Sequence, residues 1–216
     1  MTRLYFGSES DIPVSGDYNN DGTSDIGLYR ASSGLWAIRG ITRSYFGGSG
    51  DCPVPGDYDG DGFCDMGIYR RITGLWAIQG VTRAYFGGSG DTVVPGDYNG
   101  DGKKDIALFR PSSGLWALRD VSRIYFGSGG DLVVPGDYTG TGPWSPAIFR
   151  NASGLWAVRG VTRVYFGSGG DRPIPADLDG DGAQDTTVFR GDSGLWASRG
   201  VTRVYFGASS DLPVTR

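Results

Sequence analysis

The sequence of 216 residues contains no histidine. Histidine is the side chain that most often acts as a general base, and its imidazole is a common metal ligand. The serines fall in turn segments where no base recurs beside them, so the nucleophile–base pair of a hydrolase is missing. Pairs of carboxylates could imitate those of glycosidases, but a metal loop explains their spacing. We therefore expect a protein that is not an enzyme.

Long apolar runs and runs of positive charge are also missing. No stretch approaches the roughly 20 apolar residues of a membrane-spanning helix, and Met1-Thr2-Arg3 does not begin a signal peptide. The net charge is −4, and the arginines are spread evenly along the chain. The sequence thus predicts no membrane span and no nucleic-acid partner.

Cysteine is nearly absent, and Cys52 and Cys64 are the only two. If a hairpin turns around residue 61, Cys52 lies near its open end and Cys64 lies near its loop. At about 3.3 Å per residue, that separation is too long for a disulfide bond. Two free thiols are the prediction.

The feature that is abundant is a short acidic loop, seen best in the nine residues Asp57-Tyr58-Asp59-Gly60-Asp61-Gly62-Phe63-Cys64-Asp65. Side-chain oxygens occupy positions one, three, five and nine, and a glycine after the third allows a sharp bend. The backbone carbonyl of position seven can join them. A flexible, anionic set made only of oxygen atoms is typical of Ca²⁺ sites.

The acidic loop recurs every 40 residues, which favours calcium binding over turn chemistry alone, the other explanation of Asp-Gly pairs. The predicted calcium ligands are Asp17, Asn19, Asp21, Thr23, Asp25, Asp57, Asp59, Asp61, Phe63, Asp65, Asp97, Asn99, Asp101, Lys103, Asp105, Asp177, Asp179, Asp181, Ala183 and Asp185. The fourth copy keeps Asp137 but has Thr139, Thr141 and Ser145 at the other positions. Four calcium ions are expected, with none at Asp137.

Each unit of 40 residues contains four short runs typical of β-strands, separated by turns, and no helical period appears. Proline in the first strand of most units places that strand at a sheet edge or starts it there. A unit of this size cannot bury both faces alone and must stack on its copies. The sequence therefore predicts an all-β, five-bladed β-propeller forming a single domain over residues 1–216. An open β-solenoid and a fragment of a larger ring are the alternatives.

The run Val-Pro-Gly-Asp-Tyr-Asp/Asn-Gly-Asp-Gly-x-x-Asp-Ile resembles the FG-GAP and VCBS-type repeat of integrin α-chain propellers, secreted bacterial proteins and some fungal lectins. The resemblance covers every unit and implies a propeller with calcium in the first hairpin of each blade. The chain departs from that pattern in its short repeat, in having five units where seven are usual, and in the altered loop at 137–145.

One tryptophan recurs at the same position in all five units. These residues are Trp36, Trp76, Trp116, Trp156 and Trp196. The first interpretation is that they wedge between neighbouring blades, with the repeated arginines paired to the repeated aspartates. The second is a set of equivalent sugar-binding pockets, in which an aromatic face, an arginine and an aspartate bind one ligand.

Together these patterns predict a calcium-stabilised, non-enzymatic binding or interaction module with a carbohydrate or protein ligand. A purely structural propeller without a ligand is the alternative. Loops of this kind suit millimolar calcium, so an extracellular location is expected.

The two ends of the chain repeat one another, since residues 1–16 correspond to residues 201–216. The runs at 3–6 and 203–206 would compete for one strand position beside the last blade. The surplus strand could add to an exposed edge or to a neighbouring chain, which makes self-association an alternative.

Overall fold

The computed structural model describes residues 6–208, Asp211 and Pro213. These residues form five antiparallel sheets of four strands each, with one short 3₁₀ turn at Gly191–Ser193. Each sheet is a propeller blade, which confirms the predicted all-β, five-bladed β-propeller of 40-residue repeats. The described part of the chain contains no helix with the length and apolarity of a membrane span.

Blades 1 and 2 belong to a compact unit that ends at Ser89. Their strands are β1 (Ile12–Pro13), β2 (Gly27–Arg30), β3 (Leu35–Ile38) and β4 (Thr42–Tyr45), then β5 (Asp51–Pro53), β6 (Gly67–Arg70), β7 (Leu75–Ile78) and β8 (Thr82–Tyr85). Cys52 lies on β5 and Cys64 in the loop that follows, and neither forms a disulfide bond, as predicted.

Blades 3, 4 and 5 belong to a second compact unit, which begins at Gly90. Blade 3 consists of β9 (Thr92–Val93), β10 (Ala107–Arg110), β11 (Leu115–Leu118) and β12 (Ser122–Tyr125). Blade 4 consists of β13 (Leu132–Val133), β14 (Ala147–Arg150), β15 (Leu155–Val158) and β16 (Thr162–Tyr165). Blade 5 consists of β17 (Arg172–Pro173), β18 (Thr187–Arg190), β19 (Leu195–Ser198) and β20 (Thr202–Tyr205). A single domain over the whole chain stays a prediction.

Within every blade, consecutive strands are neighbours and the first strand lies at an edge. Pro13 pairs with Leu28, and Pro53 pairs with Ile68. An edge strand leaves one row of backbone groups outside the ladder, so a residue without an N–H is tolerated there. This confirms the edge position predicted for the proline-containing strand.

The turn between the second and third strands depends on a glycine. Gly34 has a φ of 70° and donates its N–H to Arg30 O at 2.9 Å. A side chain there would collide with the carbonyl of Gly47, and the left-handed backbone already disfavours one. All five units keep glycine at this position.

Every blade has an aliphatic face and an aromatic face, because side chains alternate along a strand. In blade 4, Ile148 lies on the aliphatic face and packs with Trp116 of blade 3. The adjacent Phe149 lies on the aromatic face and packs with Val188 of blade 5. Both are almost completely buried, at 2% and 0% exposed. The core therefore lies between successive blades of each unit.

A bidentate ion pair joins the first two strands of each blade. Arg70 Nε and Nη2 lie 2.8 and 2.9 Å from the two carboxylate oxygens of Asp51. The five pairs are Asp11–Arg30, Asp51–Arg70, Asp91–Arg110, Asp131–Arg150 and Asp171–Arg190. Each aspartate side chain is 1–3% exposed. A buried carboxylate is stable only when paired in this way.

These pairs lower the pKa of several aspartates. Hydrogen bonds from Arg30 lower the pKa of Asp11 to about 2. Burial opposes ionisation of Asp131 and Asp171, but hydrogen bonds from Arg150 and Arg190, with those of nearby serines, outweigh it and lower both pKa values. The ionised carboxylates thus stabilise the folded state.

The end of the chain supplies the last strand, because β20 contains residues 203–205 of the repeated run. The competing N-terminal copy, at residues 3–5, lies outside the described residues. Which copy would be surplus, and whether it drives self-association, stays a prediction.

We predict that the free energy of unfolding falls as the pH drops from about 4 towards 2. A carboxyl with a lowered folded-state pKa stabilises fully above its unfolded value near 4, and this contribution is lost as the pH falls through the folded-state pKa. Urea denaturation with chelator present measures this dependence. Arg150→Gln should make the pH dependence less steep, because it removes the partner of Asp131 while Asp11 and Asp171 keep theirs. Arg71→Gln, in an exposed turn, should leave the dependence unchanged. A flat profile in the unsubstituted protein would contradict the assignment.

Candidate functional site: acidic loops and inter-blade grooves

The acidic loops lie between the first and second strands, where each loop is closed by a bridge such as Gly56 to Asp65. Backbone N–H groups of Gly60 and Gly62 donate to the two oxygens of Asp57 at 2.6 and 3.0 Å. Phe63 N–H donates to Asp61 Oδ1 at 2.9 Å. The loop therefore wraps around its own carboxylates, as the spacing of the motif predicts.

The wrapped loops bring carboxylate oxygens close together. Oxygens from Asp57, Asp59 and Asp61 lie within 4.8 Å of one another. The same holds for Asp177, Asp179 and Asp185. Oxygen atoms at this spacing fit the donor set of Ca²⁺, whose oxygen ligands lie at about 2.3–2.6 Å from the ion.

Crowding of like charges affects the last aspartate of three acidic loops. Burial, followed by the charges of the three other aspartates of its loop, raises the pKa of Asp65 to about 6. The same causes raise the pKa of Asp105 and of Asp185. A divalent cation at the centre of each loop would reverse this effect, because it favours ionised carboxylates.

The fourth loop folds in the same way with a single carboxylate, that of Asp137. Asp137 accepts N–H groups from Thr139, Gly140 and Gly142 at 2.7–2.9 Å. The hydroxyls of Thr139 and Thr141 hydrogen-bond each other at 2.6 Å. Burial opposes ionisation of Asp137, but the backbone donors outweigh it and lower its pKa. The carboxylate and hydroxyl groups of this loop therefore find their hydrogen-bond partners within the loop itself.

The residue at the eighth position of a loop bonds to the loop of the preceding blade in the same compact unit. The sequence did not suggest this role. The N–H of Trp144 donates to Asp97 O at 2.6 Å, and that of Gln184 donates to Asp137 O at 2.7 Å. The Trp144 side chain lies against Gly96, where an added methyl group would collide with it. Gly16, Gly96 and Gly136 thus make room for the next loop, whereas Ala176 stands at this position before the fifth loop.

Four of the five repeated tryptophans are fully buried between strands, and these are Trp36, Trp76, Trp116 and Trp156. The indole N–H of Trp116 donates to Phe126 O at 2.9 Å, and its ring lies 5.2 Å from that of Phe109. The wedge interpretation predicts this burial. A ring with 0% exposure has no face for a sugar, so direct stacking by these four residues does not fit the structure.

Trp196, in blade 5, differs from the other four because it is only half-buried. Its ring lines a cavity of about 310 Å³ together with Leu178 and Phe206. The hydroxyls of Thr187 and Ser198 also line this cavity and are buried without a partner among the described residues. Trp196 is thus the tryptophan of the set that retains an accessible ring.

Grooves between blades expose other aromatic and basic side chains. Between blades 3 and 4, a groove of about 710 Å³ is lined by Tyr125, Arg150, Leu155 and Arg163 among others. Between blades 4 and 5, a groove of about 490 Å³ is lined by the corresponding Tyr165, Arg190, Leu195 and Arg203. We call them the 3/4 groove and the 4/5 groove. From the sequence alone, the Thr-Arg-x-Tyr runs that supply these tyrosines, Arg163 and Arg203 indicate only a strand.

No protein-family model, no curated protein and no solved structure matches this chain. The likeness of the loops to FG-GAP and VCBS-type repeats therefore rests on the residues of the motif. The assignment of five blades is based on the five four-stranded sheets of the structure.

We predict that Trp116→Ala lowers the free energy of unfolding by about 3–5 kcal/mol, because it removes a fully buried ring from the core. Trp196→Ala should lower the free energy of unfolding by at most about 2 kcal/mol, since part of that ring is already in contact with water. Chemical denaturation of the two variants gives the comparison. Equal losses at both positions, or no loss at Trp116, would contradict the burial difference.

Proposed function

We propose that this protein is a calcium-stabilised propeller that acts as a binding module rather than as an enzyme. A propeller of near-identical blades suits a binding, interaction or scaffold role. The observation that carries the calcium part is the contrast between the loops. The second and fifth loops each gather three carboxylates and contain no basic residue, whereas the fourth has threonine hydroxyls that bond each other.

Calcium would relieve the repulsion in the acidic loops. The expected ligands are the carboxylates and amide oxygens at positions one, three, five and nine, with the carbonyl at position seven. Because each loop lies between two strands, an ion there would hold the first hairpin of its blade in place. Exposed loops of this kind bind weakly, so calcium near millimolar concentration and an extracellular setting fit the proposal.

The binding part of the proposal rests on the grooves. Their exposed tyrosines and arginines offer ring faces and hydrogen-bond donors, which are the groups that bind saccharides. A lectin-like role with one site at each groove is therefore proposed, in place of sites at the buried tryptophans. A pure scaffold is the second candidate, and the complete burial of four tryptophans favours it.

Calorimetric titration of metal-free protein should find four calcium ions per chain. Asp61→Asn should reduce the number to three, since it removes a central carboxylate. Asp137→Asn, the matched change in the fourth loop, should leave the number at four.

Chelation should also lower the melting temperature, because calcium binds only the folded loops. Five equal sites, or fewer than three, would contradict the assignment of the loops. A melting temperature that ignores both calcium and chelator would overturn the stabilising role.

A further inference from the structure

The floor of the 3/4 groove is apolar and its rim is basic. Leu155 and Ala157 form the floor, and Arg159 and Arg163 stand exposed at the rim. Neither arginine has an ion-pair partner within the described residues. No aspartate or glutamate lines this groove. Its unbalanced charge is therefore positive, although the chain as a whole carries −4.

An arginine further inside the groove has a free donor. Arg150 uses Nε and Nη2 for Asp131, at 2.7 and 2.9 Å, and no described residue accepts from its Nη1. The side chain is 42% exposed and lines the groove. The buried Asp131 thus fixes the orientation of a guanidinium that still presents one nitrogen to a ligand.

A tyrosine ring forms the wall opposite these arginines. Tyr125 ends the last strand of blade 3 and is 74% exposed. A phenol ring that packs against so little protein is available for stacking on the C–H face of a pyranose. Ring and guanidinium groups come from two different blades, so the site exists only where blades stack.

The 4/5 groove repeats this arrangement with Tyr165, Arg190 and Arg203. Arg190 is held by Asp171 as Arg150 is held by Asp131. Tyr165 is 74% exposed, like its counterpart. No acidic residue lines this groove either.

Comparison of the copies within this chain shows that packing does not explain these residues. Arginine and tyrosine occupy the second and fourth positions of the Thr-Arg-x-Tyr run in all its copies, whereas the residue between them varies. That residue is Leu4, Ser44, Ala84, Ile124, Val164 or Val204. Both the arginine and the tyrosine are exposed in the five copies that the structure describes. Exposed turn positions of the repeat vary as well, as Ser32, Ile72, Ser112, Ala152 and Asp192 show. Uniform exposed arginines beside varied neighbours favour a ligand.

From this geometry we infer that the inter-blade grooves bind acidic saccharides, with the sugar ring on the tyrosine and its carboxylate or sulfate on the arginines. The inference rests on the binding role proposed above and specifies its ligand class. Charge-assisted bonds from arginine to a carboxylate or sulfate would supply the preference over neutral sugars. A volume of about 490–710 Å³ suits one or two sugar rings.

Single-stranded nucleic acid also combines rings with negative charge, but the observations favour a saccharide. A polyphosphate chain needs a continuous basic track. Here the net charge is negative, and acidic loops occur in the same units as the grooves.

The test is calorimetric titration of the calcium-loaded protein with a trigalacturonide, with its methyl ester, with a sulfated heparin-derived oligosaccharide and with oligo(dT). The ester has the same rings without the charge. Binding of the trigalacturonide at least about tenfold tighter than its ester supports the inference, since a charged hydrogen bond accounts for that factor. Comparison with the sulfated oligosaccharide shows which acidic group is preferred.

Two pairs of variants locate the site. The double variant Arg163→Gln with Arg203→Gln should abolish saccharide binding at the 3/4 and 4/5 grooves. The double variant Arg71→Gln with Arg172→Gln removes the same charge elsewhere and should leave this binding unchanged. Tyr125→Ala with Tyr165→Ala should weaken binding, and Tyr125→Phe with Tyr165→Phe should preserve it. Thermal melting checks that every variant is folded.

Each other outcome overturns the inference in a distinct way. If the trigalacturonide and its methyl ester bind equally well, the protein binds saccharides without a preference for acidic ones. Arginine-dependent binding of oligo(dT) tighter than either saccharide identifies a nucleic-acid site instead. Absence of any binding excludes the saccharide class and favours a scaffold, while the calcium titration still tests the other part of the proposed function.

Discussion

The structure depends on one constraint, which is that each sheet has two apolar faces and both must be removed from water. The second and third strands of every blade have only four residues each, and most of these are buried. A unit of 40 residues is too small to bury such surface by itself. Stability must therefore come from contact between blades, where aliphatic residues such as Ile148 meet the aromatic face of the preceding blade. The repeat of the sequence follows, since every junction needs the same two surfaces.

The polar residues of the repeat satisfy a second requirement, which is to close each blade at its edges. The first strand has two or three residues and contributes few ladder hydrogen bonds. The Asp51–Arg70 pair and its equivalents attach this strand to the next through two charged hydrogen bonds. The acidic loop continues the same hairpin, so an ion bound there would act on the strand that is otherwise held least. Ion pair and loop thus support the same edge from opposite ends.

Much of this could be predicted from the sequence because it depends on local chemistry. Short runs typical of β-strands, ended by turn glycines, indicate four strands, proline marks the edge strand, and aspartate spacing makes the loop curl inward. Contacts that cross from one blade to the next could not be predicted in this way. Nothing in the run around Trp144 shows that it lies against Gly96, and nothing around Trp116 decides between core and ligand. Those answers depend on how close the blades approach, which no single repeat encodes.

The grooves follow from the same stacking. Burial is complete at the central strands, where Phe149 is 0% exposed, and falls at the fourth strand, where Tyr165 is 74% exposed. Twisted sheets that pack tightly at their middle strands separate towards an edge strand, so the junctions of blades 3 and 4 and of blades 4 and 5 open into grooves. The core residues there are fixed by packing, whereas the exposed tyrosines and the arginines of the fourth strand are not. A binding function placed on that part leaves the stability of the blades unaffected, and each added junction contributes another equivalent site. Weak single sites would then combine into a much higher overall affinity for a ligand that spans several grooves.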